Sequence, residues 1–490
     1  MYTWKSVHQG APMDWARAQF DGIRLGNCVR RNRIMAFAAA LAEQPGKMIP
    51  ELFTRKYDID ATYDLLDERE VVPDAIQAAH RRLVMGELRT PGRYLLLEDT
   101  TFPSFSHRKQ PIPGLGPIGD SEPGQQGFLL HSIVALRASS SSAPDASGRR
   151  PPVTILGLAD QQYLIRTPRD PGTSKQAGSR QRQVRDRESD RWLDSTTRIG
   201  RAPSDPAVRW VRVADREADI YEYLARCREA RHGFVIRVSQ NRILLNPADG
   251  ERLGLVFEHI AGVAPLGGMH LDLRGRDGQV ARRARLLISC GSVRVRAPER
   301  AGRAAGTGAP IDCWFIRVWE EDPPEGVEAL EWVLYTDQPT ESLGDALSAV
   351  MDYATRFLIE EFHKCLKTGM RAEDLQLEQG NRLFAAIAVM SVVALRLLDL
   401  RELGRRFPDA PAACTGLDEL ELEVLGLAVE RELPTVTDVL LAVGRLGGHM
   451  NRRRDGMPGW ITLWRGMKVL RLLVRGAKLG RASMNAHVHY

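Results

Sequence analysis

This 490-residue chain has no Cys-x-x-Cys pair and no two histidines at zinc-ligand spacing, and its six cysteines (Cys28, Cys227, Cys290, Cys313, Cys365, Cys414) lie far apart. That argues against a zinc finger or a disulfide framework and fits isolated thiols in a reducing cytoplasm. The first residues, with Trp4, Lys5 and His8, lack the charged-then-apolar pattern of a secretory leader. The longest apolar run, Leu383 to Leu395, stops at Arg396 and is too short to span a membrane. The expectation is a cytoplasmic, nucleoid-associated protein with no membrane partner. Charge excess is small too: 68 basic against 62 acidic residues leave +6, so an anionic partner must be met by local patches. Arginine greatly outnumbers lysine, which suits bidentate phosphate contacts and equally follows from a GC-rich genome.

There is no internal repeat. The length calls for two or three packed units. From Trp15 to about Gly86 apolar residues recur at helical spacing (Ile34, Phe37, Leu41, then Leu65, Ala75, Ala78, Leu83). After Pro91-Gly92, short apolar runs at 94–97, 133–136, 153–158 and 208–213 are expected to be strands of one mixed sheet. Residues 138–152, rich in Ser, Ala, Pro and Gly, suggest a flexible loop, and the arginine-rich stretch 166–191 a surface segment. Between about 238 and 330 the texture is β-like with many glycines, as expected of an inserted subdomain. After Ser342 it is helical to the end, with an acidic block at 418–423. The expected division is 1–90 helical, 91–369 mixed α/β with the insertion, and 370–490 helical.

On one helix at 100° per residue, Tyr353, Arg356, Glu360, Lys364 and Lys367 share a stripe with His363 at its edge, and Leu358, Phe362, Cys365 and Leu366 fall opposite. A polar stripe is ordinarily a solvated face. Two aspartates follow predicted strands: Asp99 after 94–97, and Asp215 after 208–213. Asp99 could instead start a turn, and Asp215 could cap the helix containing Ile220 and Tyr223. Phosphodiester chemistry with two Mg²⁺ ions needs several carboxylates converging from such places.

The spacing Tyr353-x2-Arg356-x3-Glu360-x6-Lys367 matches the Tyr-Arg-Glu-Lys signature of bacterial transposases of the insertion-sequence-four family. Ile359-Glu360-Glu361-Phe362-His363-Lys364 and Lys367-Thr368-Gly369 resemble the family's prototype. Glu98-Asp99-Thr100-Thr101 and Asp215-Arg216-Glu217-Ala218-Asp219-Ile220 are similar to its two catalytic-aspartate motifs. Residues 14–47 resemble its DNA-binding N-terminus; Arg445-Leu446-Gly447-Gly448 with Trp460 and Trp464 resembles its C-terminal domain. The resemblance covers nearly the whole chain.

It implies an α/β fold with an RNase H-like catalytic core carrying a β-rich insertion, flanked by a helical N-terminal DNA-binding domain and a helical C-terminal dimerisation domain. It also implies cut-and-paste DNA transposition through a hairpin intermediate, with double-stranded DNA at terminal inverted repeats and target DNA as partners, and a homodimer in the DNA complex. Asp99, Asp215 and Glu360 would hold two Mg²⁺ ions, with Mn²⁺ expected to substitute. Tyr353, Arg356 and Lys367 would grip phosphates, with Lys364 a further candidate. Trp332 matches a tryptophan that receives a flipped base, where a core strand residue is the ordinary alternative. Arg237 matches a basic position near the active site. Arg30, Arg31 and Arg33 fall where the family reads terminal repeats, although Asp64 stands where the prototype is basic. Arg294 and Arg296 point to one side of a predicted strand and suggest a phosphate track; solvated arginines are the default for both clusters. An RNase H-fold nuclease of another purpose and a non-catalytic, transposase-derived DNA-binding protein are the rival readings.

Overall fold

The computed structural model describes residues 11–118, 125–139, 148, 150–167, 188–273, 282–298, 308–452 and 455–487. Trp4, Lys5 and His8, most of the 138–152 loop and most of the 166–191 segment lie outside them.

Five helices come first: α1 (Pro12–Phe20), α2 (Cys28–Glu43), α3 (Ile49–Leu52), α4 (Lys56–Asp67) and α5 (Pro73–Glu87). Their starts follow local chemistry. Proline opens α1 and α5, where its missing N–H costs nothing, and Asn27 caps α2 by accepting from the Arg30 amide at 2.9 Å.

The strands are β1 (Gly92–Thr101), the short pair β2 (Gly116–Pro117) and β3 (Gln126–Gly127), β4 (Leu129–Ala138), β5 (Val153–Leu164), β6 (Val208–Ala214) and β7 (Gly233–Arg237). Then come β8 (Ile243–Leu245), β9 (Arg252–Leu255), β10 (Gly267–Leu273), β11 (Arg282–Val295), β12 (Ile311–Glu321) and β13 (Glu331–Thr336). All except β2 and β3 form one sheet ordered β5-β4-β1-β6-β7-β13-β12-β11-β8-β9, with β10 on β11. The four runs expected to share a mixed sheet do so: β1, β4 and β5 are antiparallel neighbours, while β6 lies parallel to β1 and β7 parallel to β6. The β-like stretch 238–330 extends this sheet through β13, with a separate apolar cluster around Phe234, Phe315 and Tyr335.

Helices α6 (Asp190–Ile199), α7 (Tyr221–Glu229) and α8 (Val256–Ala261) lie between strands, and the chain ends in α9 (Leu343–Thr355), α10 (Phe357–Lys364), α11 (Gly380–Arg406), α12 (Glu419–Val429), α13 (Val436–Leu446) and α14 (Trp460–His487). The acidic block proves to be a helix start: Asp418 and Glu421 form a reciprocal capping box on α12. Helix α11 is apolar on nearly every side because it packs against helices and β5. It is long and apolar enough to cross a membrane by composition, but 78% of its most apolar window is buried inside the protein.

β1 faces apolar groups on both sides, which is why residues 94–97 read as an unbroken apolar run. Leu95 and Leu97 join the principal core with Val211 and Val213 of β6; Tyr94 and Leu96 face a second cluster with Trp210. By strand alternation Asp99 continues the first face and Glu98 the second.

Candidate active site

Asp99 lies near the end of β1, and Asp215 directly follows its parallel neighbour β6. The β1–β6 register runs to Glu98 opposite Ala214, one residue before each. Asp215 also acts as a cap, its Oδ1 accepting from the Glu217 amide at 2.9 Å over the short turn Arg216–Ala218, while α7 begins beyond it. Glu360 comes from α10, which packs against β1.

The single regular helix expected over 353–367 is corrected. The α-helical hydrogen bonding is interrupted at Arg356 between α9 and α10, where the dihedrals stay helical and the bonds tighten to i→i−3, and Cys365–Gly369 winds as a π-turn in which the Met370 amide bonds to the Cys365 carbonyl at 2.8 Å. The apolar side survives, with Leu358, Phe362, Cys365 and Leu366 fully enclosed. The π-turn alters the bearing of Lys367, whose Nζ donates to the Phe102 carbonyl at 3.0 Å and pairs with Glu373 at 3.0 Å.

Arg356 sits at the electrostatic centre. Its guanidinium pairs with Glu360 and lies 5.8 Å from the centre of the Tyr353 ring. Burial works against its charge, but Glu360, Tyr353, Asp99 and Asp215 together raise its proton affinity. Burial likewise favours the protonated form of Asp99, and His363, Arg356 and the Thr100 amide outweigh it, holding the carboxyl below the usual range. His363 Nδ1 is 3.6 Å from Asp99 Oδ2, too long for a hydrogen bond and close enough for Coulombic support.

One guanidinium thus feels all three candidate carboxylates. Hard oxygen donors of this kind suit Mg²⁺. Among the described residues, however, no group of three His, Cys, Asp or Glu side chains is gathered closely enough to hold an ion, and Glu360 is engaged by Arg356. The donor chemistry fits a metal pair; the present arrangement keeps one donor on an arginine.

Two family models match parts of the chain outside this site. The family model described as Transposase DNA-binding matches residues 12–71, and the one described as Transposase Tn5 dimerisation domain matches residues 392–486. Together the two matches support a Tn5-like transposase. A DNA-binding unit therefore opens this transposase and a dimerisation unit closes it, the latter beginning inside α11.

Other expected site residues are spread over the transposase. Lys364 is exposed. Trp332 is half-buried on β13 against the principal core, and Arg237, opposite Leu334 at the β7 end, donates to the Glu331 carbonyl at 3.2 Å. Arg30 is committed to Glu68 and Glu70, Arg31 lies 3.6 Å from Asp21, and Arg33 meets the Tyr57 hydroxyl at 2.8 Å. In the extension Arg294 pairs with Asp312.

Sequence reasoning missed the polar cluster behind Asp99. Glu98 is fully enclosed; burial would raise its pKa, but Arg212, His131 and Ser195 hold it at about 2. Arg212, also enclosed, donates to it at 2.8 Å, and the Tyr223 hydroxyl donates at 2.5 Å. The available signal was an acid directly after the apolar run 94–97 and an arginine within the run 208–213. Arg191, expected on a surface segment, is instead only 8% exposed in α6.

Proposed function

We propose that this transposase carries out cut-and-paste transposition, using Asp99, Asp215 and Glu360 as a catalytic triad for two Mg²⁺ ions, with Mn²⁺ able to substitute. The observation that carries the reading is placement: Asp99 and Asp215 come directly after the last paired residues of two adjacent parallel strands, and Glu360 stands on the helix packed against β1, paired with the partly buried Arg356. The strand order β5-β4-β1-β6-β7, antiparallel for the first three and parallel from β1 onward, supports an RNase H-like core at about 91–369. Residues 1–90 would read DNA ends and residues 370–490 would pair two copies.

Bound there, the ions would activate water or a 3′-hydroxyl and stabilise the leaving oxygen. The chain's own residues set the rest. Asp99 and Asp215 offer carboxylates from adjacent strand ends, and Glu360 joins them when Arg356 turns toward a DNA phosphate. Tyr353, Arg356 and Lys367 orient the backbone next to the scissile bond. The enzyme nicks the element's end, lets the freed 3′-hydroxyl attack the opposite strand to give a hairpin, reopens it, and joins the ends to target DNA. Trp332 would receive the unstacked base, which requires its ring to leave part of its core packing.

The test incubates purified protein and Mg²⁺ with a labelled fragment of the element's end. Nicked and hairpin products that vanish in Asp215→Ala are expected; unchanged products in that variant would overturn the triad. Trp332→Ala should impair hairpin formation more than the first nick, and equal loss of both would remove the base-flipping role.

A further inference from the structure

On the sheet face opposite Asp99, a circuit of hydrogen bonds joins the two aspartate-bearing strand ends. It leaves the Asp215 turn at Glu217, whose carboxylate accepts from Arg191 Nη2 at 2.7 Å. Arg191 Nε donates to Thr100 Oγ1, directly after Asp99, at 2.9 Å. That hydroxyl lies 2.9 Å from His131 Nδ1, and His131 Nε2 lies 2.9 Å from Glu98 Oε1, directly before Asp99. The other oxygen of Glu98 accepts from Arg212 on β6, at 2.8 Å, three residues before Asp215. The path therefore leaves β6 beyond Asp215, passes on both sides of Asp99, and returns to β6.

The backbone leaves a need for such a device. The β1–β6 ladder stops at Glu98 and Ala214, so backbone hydrogen bonding between the two strands does not fix the spacing of the aspartates that follow. Buried ionic clusters are poor stabilisers, since apolar groups of the same volume commonly serve as well. What they supply is placement, and carboxylates serving an ion pair must be held within about half an ångström.

We propose that this circuit sets the separation of Asp99 and Asp215, with Arg191 as the positioning residue that spans both ends. The inference rests on reading those aspartates as metal-holding. The planar guanidinium carries donors at fixed angles, so Nε can hold the Asp99 side while Nη2 holds the Asp215 side; a lysine offers a single point charge and cannot span them.

The experiment uses the full-length chain and compares Arg191→Lys and Glu217→Gln with the parent and with Asp215→Ala. Glu217 is half-exposed, which keeps the test valid if the Arg191 variant fails to fold. Three quantities are measured: Mn²⁺ binding to DNA-free protein by calorimetry, end-DNA binding without metal, and single-turnover nicking across Mn²⁺ concentrations. Glu217→Gln and folded Arg191→Lys should bind end DNA like the parent, bind Mn²⁺ about tenfold more weakly, and nick about ten- to a hundredfold more slowly, partly recovered at high Mn²⁺. Parent-like Mn²⁺ affinity and nicking in Glu217→Gln would overturn the circuit; so would loss of end binding and thermal stability in parallel with nicking. If Asp215→Ala keeps Mn²⁺ binding and nicking, it is the reading of the aspartates that fails. If that variant loses both while Glu217→Gln does not, only the circuit fails.

Discussion

On the proposed triad, Arg356 would compete with a metal ion for the same carboxylates. Its charge is stabilised by Glu360, Asp99 and Asp215, and its pair with Glu360 withholds one donor. Arg356→Gln should therefore shift two measurements in opposite directions: Mn²⁺ should bind the DNA-free protein more tightly, while nicking of end DNA falls about a hundredfold for want of a phosphate-directed charge. A variant that weakens both would show that Arg356 holds the site together rather than contesting it. Glu98 makes a pH prediction. Burial would lift its pKa, yet Arg212, His131 and Ser195 hold it at about 2 against an ordinary 4.5. A carboxyl depressed on folding contributes stability that is complete above its unfolded value and is lost as pH falls from 4.5 toward 2. The contribution is on the order of 3 kcal/mol. Thermal scans between pH 6 and 3 should show the parent melting point dropping more steeply than that of the paired variant Glu98→Gln, Arg212→Met. Parallel profiles would refute the assignment.

The elements that carry the site are short and irregularly wound, and here sequence periodicity was only partly legible. The polar stripe and its apolar back were readable because burial of Leu358, Phe362 and Leu366 follows from spacing on a helix. The tightened turn at Arg356 and the π-turn at 365–369 were not; at the π-turn Glu373 and the Phe102 carbonyl hold Lys367 from outside the helix. Glu98 and Arg212 escaped notice because their partners lie on other strands and helices, and Arg191 because an arginine-rich stretch gives no sign of which member turns inward. The turn at Pro45-Gly46 shows such long-range dependence at its tightest. Gly46 has φ of 76°, and a Cβ there would stand 2.7 Å from the Gly369 carbonyl oxygen and 2.8 Å from the Trp464 ring. Three parts of the chain meet at that point. Gly326 has φ of 75° with nothing near its missing side chain. Alanine should cost about 1 kcal/mol at Gly326, from backbone strain alone, and at least twice that at Gly46. Equal losses in apparent melting temperature would mean the contact yields without cost.

At the scale of the whole molecule, a chain of +6 net charge must hold DNA with chosen side chains rather than with its overall field. Many arginines are already spent internally, as Arg30 is on Glu68 and Glu70. Lys364, by contrast, projects exposed from the helix that carries Glu360. A candidate pairing surface lies on α14, within the matched dimerisation region, where Leu472 is 65% and Leu479 67% exposed. DNA binding and pairing of copies should therefore be separable. Lys364→Ala should leave melting temperature unchanged and reduce the steepness of the log affinity against log salt plot by about one unit, the signature of one lost phosphate contact. Arg30→Ala should do the reverse, lowering stability through the unpaired Glu68 and Glu70 before it alters the salt slope. Leu472→Glu with Leu479→Glu should leave single-end binding intact and abolish the complex containing two ends, read as the slower band in a mobility-shift gel. If the salt slope follows Arg30 and not Lys364, the DNA path runs over the N-terminal helices and past the arginines, and the ion pairs must open to admit it.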